Sequence, residues 1–76
     1  MTAMERAEAK VKAANLRILA AGQAQNAAAH RRQAEHPAYP GQAGICCGKA
    51  DVIDGFALRS LAQAELLEAQ AANVTA

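Results

Sequence analysis

Apolar side chains recur every seven residues in the first half of the chain, at Met4, Val11 and Ile18. Alanines follow three residues after each of them and continue for one more repeat: Ala7, Ala14, Ala21 and Ala28. Alternating spacings of three and four residues are the heptad pattern of a helix that packs along another helix. No proline occurs before Pro37. The pattern therefore predicts one helix over residues 3–36, about 50 Å long at the usual rise per residue.

The start of this helix has a recognisable sequence signal. Thr2 and Glu5 have the spacing of a capping box, in which each side chain accepts a hydrogen bond from the other residue's backbone amide. A break near Gly22–Asn26 is the main alternative to a continuous helix, because glycine lowers helix stability by about 1 kcal/mol relative to alanine. Leu16 and Leu19 lie off the heptad series, so we expect the middle of the helix to be covered on more than one side.

A proline- and glycine-rich segment, residues 37–50, follows the first helix. Its two prolines and three glycines are typical of irregular structure, and the segment is longer than most connections between packed helices. We therefore predict a connection that either packs through Tyr39 and Ile45 or has a function of its own.

The second helix is predicted over residues 51–73, with Asp51 or Asp54 at its start, where a carboxylate suits the helix dipole. One stripe of small and apolar side chains runs along it at helical spacing: Ile53, Ala57, Ser60, Ala64, Leu67, Ala71 and Val74. Four larger side chains widen this stripe: Phe56, Leu58, Leu61 and Leu66. Like the first helix, this one is apolar around much of its circumference.

The charges along the chain favour an antiparallel hairpin of the two helices. Residues 1–36 carry a net charge of +3, and residues 37–76 carry a net charge of −2. Folding about the connection brings Arg17 near Glu68. The same fold brings a basic pair near an acidic pair: Arg31 and Arg32 near Asp51 and Asp54. Because the second helix is predicted to be shorter than the first, the first turns of the chain are expected to lack a partner.

The composition gives this hairpin only a small core. Alanine occupies 22 of the 76 positions, and alanine favours helix while burying little surface. Two helices cannot cover two broad apolar faces, so we predict an all-α hairpin that dimerises into a four-helix arrangement. The residues predicted to form the partner or oligomer interface are Met4, Val11, Leu16, Ile18, Leu19, Tyr39, Phe56, Leu61 and Leu67.

A zinc site is one alternative for the connection. Cys46 and Cys47, together with His30 and His36, supply four side chains of the types that bind zinc. Zinc sites, however, usually separate paired cysteines by two to four residues, and these two are adjacent. We therefore expect both cysteines to pack as small apolar side chains beneath the connection, and we predict neither a metal nor any other cofactor.

The basic residues Arg17, Arg31 and Arg32 are candidates for contact with an anion or a nucleic acid. Positive charge near the end of the first helix also complements the helix dipole, and this structural role is the simpler interpretation. The whole chain carries a net charge of only +1, and 3% of its residues are aromatic, so it lacks the usual features of a nucleic-acid-binding surface. The segment Gly44–Lys49 has part of the phosphate-loop spacing, but alanine occupies both flanking positions that this motif requires.

The chain is therefore expected to be a non-enzymatic protein–protein interaction module that acts as an adaptor, an assembly factor or an inhibitor. A helix presented to a groove of another protein is the natural binding mode. One concrete form is a small bacterial or bacteriophage accessory protein that inhibits a host defence or regulatory protein. The alternative is a small module that binds nucleic acid or a nucleotide through the arginine and lysine face of the first helix.

The expected location is the cytoplasm. The sequence has no run of about 18 apolar residues, so no transmembrane helix is predicted. Two adjacent cysteines without a wider disulfide framework indicate a reducing compartment, and the first residues lack the apolar run of a secretory signal. The expected partners are a second copy of the chain and an unidentified protein.

Overall fold

The computed structural model describes residues 2–72, which fold as two helices joined by a turn. Helix α1 spans Ala3–Glu35, and helix α2 spans Gln42–Ala72. The two helices pack along each other, so the all-α, hairpin-like architecture predicted from the heptad pattern is confirmed.

Helix α1 begins at the capping box. The Glu5 amide donates to the Thr2 hydroxyl at 3.1 Å, and the Thr2 amide donates to the Glu5 carboxylate at 3.5 Å. The helix then continues without a break through Gly22. Alanine is common on both sides of this glycine, and its strong helix propensity offsets the local loss.

The connection is shorter than the sequence predicted, because residues 42–50 belong to helix α2. Both prolines precede this helix, and Gly41 turns the chain with a positive φ of 89°. The Gln42 side chain accepts a hydrogen bond from the Ala38 amide, which ties the turn to the first residue of the helix. The predicted start at residue 51 is therefore wrong. The predicted end at Asn73 lies outside the described residues.

Ion pairs between the helices show that they run antiparallel. Arg17 Nη2 lies 2.6 Å from Glu68 Oε1. Arg31 Nη2 lies 2.5 Å from Asp54 Oδ2 and 3.1 Å from Asp51 Oδ1. Later residues of α1 thus pair with earlier residues of α2, in the register that the charge pattern predicted.

We name the line along which the helices meet the inner seam. On α1 it consists of Ala9, Ala13, Leu16, Ala20, Gln23, Ala27, His30 and Ala34. On α2 it consists of Ala43, Cys46, Ala50, Ile53, Ala57, Ser60, Ala64, Leu67 and Ala71. Alanine recurs every seventh residue on both helices, which lets the two backbones approach closely. Ala27, Ala50 and Ala64 expose none of their surface. Val74, predicted on the same stripe, lies outside the described residues.

The heptad series of Met4, Val11 and Ile18, predicted to form the partner or oligomer interface, lies on the side of α1 opposite to α2. Val11 is two residues after Ala9 and two before Ala13, a rotation of about 200° from each around the helix axis. Met4 and Ile18 share the face of Val11 and are exposed. Two heptad series run along α1, and the one made mostly of alanine matches the alanines of α2.

The hairpin is a rod with extents of 59 × 13 × 11 Å. Helices α1 and α2 contain 33 and 31 residues, so the second helix is nearly as long as the first, and the predicted difference of about ten residues is wrong. Arg31 lies close to the end of α1, yet it pairs with Asp51 and Asp54, well inside α2. The first turns of α2 therefore extend past the end of α1.

Candidate interaction surfaces

Helix α1 presents its second heptad series to solvent, and we name this surface the α1 outer seam. It consists of Met4, Ala7, Val11, Ala14, Ile18 and Ala21. The three large side chains are 60–73% exposed, and the three alanines are also exposed. The α1 outer seam is thus an apolar helix face that the rest of the described chain, residues 2–72, does not cover.

The other six residues of the predicted interface lie elsewhere on the hairpin. Leu16 and Leu67 belong to the inner seam, and Leu61 is half-buried beside it. About half of the surface is exposed in the remaining three: Leu19, Tyr39 and Phe56. The sequence pattern identified the α1 outer seam but did not separate it from leucines that hold the hairpin together.

Helix α2 has an outward surface of the same kind, which the sequence analysis missed. This α2 outer seam consists of Ile45, Gly48, Val52, Gly55, Arg59, Ala62, Leu66 and Ala69. Its aliphatic side chains, Ile45, Val52 and Leu66, are 50–59% exposed. The heptad spacing was present in the sequence. It was not recognised because its first two residues, Ile45 and Gly48, were predicted to lie in the connection.

A shallow depression of about 230 Å³ lies in the α2 outer seam. It is lined by Val52, Gly55, Phe56 and Arg59, and also by Asp51. The Arg59 guanidinium carbon lies 5.7 Å from the centre of the Phe56 ring. The first four residues have the spacing i, i+3, i+4, i+7, which is the set that forms a hole for one side chain of a facing helix. The depression therefore has the form of a helix-packing hole.

The basic residues proposed for anion binding are largely engaged within the hairpin. Glu68 accepts two hydrogen bonds from Arg17, at 2.6 and 2.9 Å, and this bonding raises the pKa of Arg17 and lowers the pKa of Glu68. Hydrogen bonds to Asp54 and Asp51 likewise raise the pKa of Arg31. These carboxylates engage part of the donor set of Arg17 and Arg31, whereas Arg32, the third residue predicted for anion contact, is exposed.

The cysteines and histidines do not form a metal site in the described part of the chain. Within residues 2–72, no three His, Cys, Asp or Glu side chains are grouped closely enough to hold an ion. Cys46 is buried in the inner seam, whereas Cys47 is exposed. The expectation that both would be buried is wrong for Cys47, because adjacent residues of a helix point about 100° apart.

Neither α1 nor the described part of α2 is long and apolar enough to cross a lipid bilayer. No protein-family model matches the chain, and searches among curated proteins and solved structures give no significant match.

Proposed function

We propose that this protein is a non-enzymatic interaction module that binds a helix of a partner protein through the α1 outer seam. It acts as an adaptor, an assembly factor or an inhibitor that covers a helix-binding surface. Self-association into a homodimer of four helices is the simplest form of this binding. The proposed location is the cytoplasm. In the inhibitor form, the partner is a host defence or regulatory protein.

One observation supports this proposal above all others: the α1 outer seam combines heptad spacing with large apolar side chains that are 60–73% exposed. Met4, Val11 and Ile18 are the most exposed of the large apolar side chains on α1. Burying a side chain of this size removes apolar surface from water and contributes about 1.5–3 kcal/mol. The alanines between them leave room for a second helix to approach, as alanines already do in the inner seam.

The surface area of the hairpin also supports binding. The chain has an accessible surface of 5266 Å², whereas a compact monomer of 7.9 kDa would have about 4,400 Å². The excess is close to the roughly 800 Å² that each partner loses in an interface of standard size. One helix-on-helix contact would therefore bring the exposed area to the level of a compact protein.

Native mass spectrometry of protein purified gently from its own cells tests this proposal. Wild type is compared with Val11→Asp and Ile18→Asp, which place a charge in the α1 outer seam. The matched control is Asn26→Asp, which adds the same charge on another side of α1. We expect wild type and the control to appear as a dimer, a larger assembly or a complex with a second polypeptide, and the two seam variants to appear at 7.9 kDa.

Two results would contradict the proposal. Seam variants that keep the wild-type mass would show that the α1 outer seam is not the contact. A wild-type protein found only as a monomer without a partner would remove the interaction function itself.

A further inference from the structure

The two outer seams share one construction, although they belong to different helices. In each seam a larger residue alternates with alanine or glycine at spacings of three and four residues. The inner seam shows that such surfaces of this chain pack together in the antiparallel direction, with small residues at every second layer. Each outer seam therefore has the form of a partner for the other.

The outer seams cannot meet within one molecule. The α1 outer seam lies on the side of α1 opposite to α2, and the α2 outer seam lies on the side of α2 away from α1. They thus occupy opposite edges of a rod whose two smaller extents are 13 and 11 Å. Contact between them requires a second copy of the chain.

The charges that border the two seams are complementary. Lys10 and Arg17 directly precede the large residues Val11 and Ile18 of the α1 outer seam. On the α2 outer seam, the residues directly preceding Val52 and Leu66 are both acidic: Asp51 and Glu65. In an antiparallel pair of helices, residues that hold the same position relative to their own seams lie on the same side of the contact. The inner seam shows this arrangement, because Arg17 follows Leu16 and its partner Glu68 follows Leu67. Arg17 and Asp51 already pair within the hairpin, with Glu68 and Arg31. The register that sets Val11 opposite Leu66 therefore brings one further pair of unlike charges together, Lys10 of one copy and Glu65 of the other.

The same comparison of charges disfavours packing of an outer seam on the identical seam of a second copy. Two α1 outer seams packed antiparallel around Val11 would bring Lys10 close to Lys10 of the second copy. Two α2 outer seams would likewise bring acidic borders together in the register that pairs Asp51 with Glu65. Like charges that face each other across a helix pair are destabilising, so the combination of unlike seams is favoured.

The depression at Gly55 is a place in the α2 outer seam where a side chain of a facing helix can insert. A Cβ atom built on Gly55 would meet no atom within 4 Å, so the space above this glycine is open. Val52, Phe56 and Arg59 surround that space. A large aliphatic side chain repeated every seven residues, as in the α1 outer seam, is the type of knob that such a hole receives.

We propose that the α1 outer seam packs antiparallel on the α2 outer seam of a second copy of this chain. This inference rests on the proposed function and names the occupant of the same surface. The contact is heterologous, because it joins two different surfaces. An open assembly therefore keeps one unused seam at each of its two ends, and copies add in one direction until the assembly closes into a ring or stops.

Two variants, each blocking one seam, test this mode of packing. Ile18→Asp blocks the α1 outer seam and leaves α2 unchanged. Gly55→Gln fills the hole of the α2 outer seam, its Cβ would meet no atom of the hairpin within 4 Å, and it raises helix propensity. Both should therefore fold. Each variant is examined alone and in an equimolar mixture by sedimentation equilibrium, with Asn26→Asp as the control that keeps both seams.

The expected result is complementation. Each variant alone sediments at 7.9 kDa, and the mixture forms a species of twice that mass and no larger, because only one intact contact remains. The control associates as wild type does. Gly55→Gln that still associates alone would show that α1 packs on α1, which overturns this inference and leaves the proposed function standing. A mixture that stays monomeric would also overturn it.

Discussion

The inner seam and the outer seams follow the same heptad spacing, yet they differ in what fills the larger positions. The inner seam has alanine layers and, at its centre, a polar pair in which the Ser60 hydroxyl donates to Gln23 Oε1 at 3.1 Å. The outer seams hold Met4, Val11, Ile18 and other large aliphatic residues, and they are exposed. Among the described residues, no large side chain is fully buried.

This difference shows that the size of the apolar residues does not decide which face of a helix is buried within the chain. Small residues allow close approach of two helices over a long distance, and many close backbone contacts replace a few large side chains. Most of the large apolar residues then remain on the surface, where they are suited to a contact between molecules, whereas Leu16, Ile53 and Leu67 are half-buried in the inner seam. The buried contact holds the hairpin, and the exposed one is available for a partner.

The largest expected effect comes from enlarging an alanine of the inner seam. Ala27→Leu adds bulk where no surface is exposed, so the helices must separate, and we expect the free energy of unfolding to fall by about 1–3 kcal/mol. The control is Ala29→Leu on the exposed side of the same helix, which should change it by less than about 0.5 kcal/mol. Urea unfolding followed by circular dichroism measures both. Equal losses would mean that the inner seam is not closely packed.

A smaller effect is expected at the polar pair of the inner seam. Ser60→Ala removes the hydroxyl that donates to Gln23 and should lower the free energy of unfolding by about 1 kcal/mol. The double variant Gln23→Leu with Ser60→Ala should recover part of this loss, because replacing both partners leaves no buried polar group without a bond. A double-mutant cycle in urea checks this. Strictly additive losses would contradict the coupling.

The smallest effect is expected at the ion pair between Arg17 and Glu68. Because Arg17 lowers the pKa of Glu68 from its ordinary value of 4.5, the stabilisation is present above that pH. It disappears as the pH falls through the lower pKa of the folded protein. Glu68→Gln should therefore lower the melting temperature slightly at pH 7 and have no effect in acid. Glu8→Gln, outside the described ion pairs, serves as the control, and a difference that persists in acid would contradict this account.

The parts of the fold that could be predicted from sequence are those set by short-range or charge signals. The capping box at Thr2 and Glu5 was visible as a local motif, and the antiparallel register followed from Arg17, Arg31 and their acidic partners. In both cases the sequence identifies the residues that interact with each other.

The assignment of inner and outer faces could not be predicted in the same way. Helix α1 has two heptad series, and a single sequence does not show which one matches α2. The start of α2 was missed because Gly44 and Gly48 are typical of a loop. Both lie inside helix α2, which begins directly after the turn at Gly41. With this start misplaced, Ile45 and Val52 could not be recognised as one surface.

The most direct test of the central claim is the concentration dependence of the melting temperature for wild type and for Val11→Asp with Ile18→Asp. Association stabilises the folded state by mass action, so the wild-type midpoint should rise with protein concentration. The double variant should still melt cooperatively from a helical state, at one temperature for all concentrations. A variant midpoint that still rises with concentration, or a variant with no folded state, would contradict the division into an inner seam that folds the hairpin and outer seams that bind.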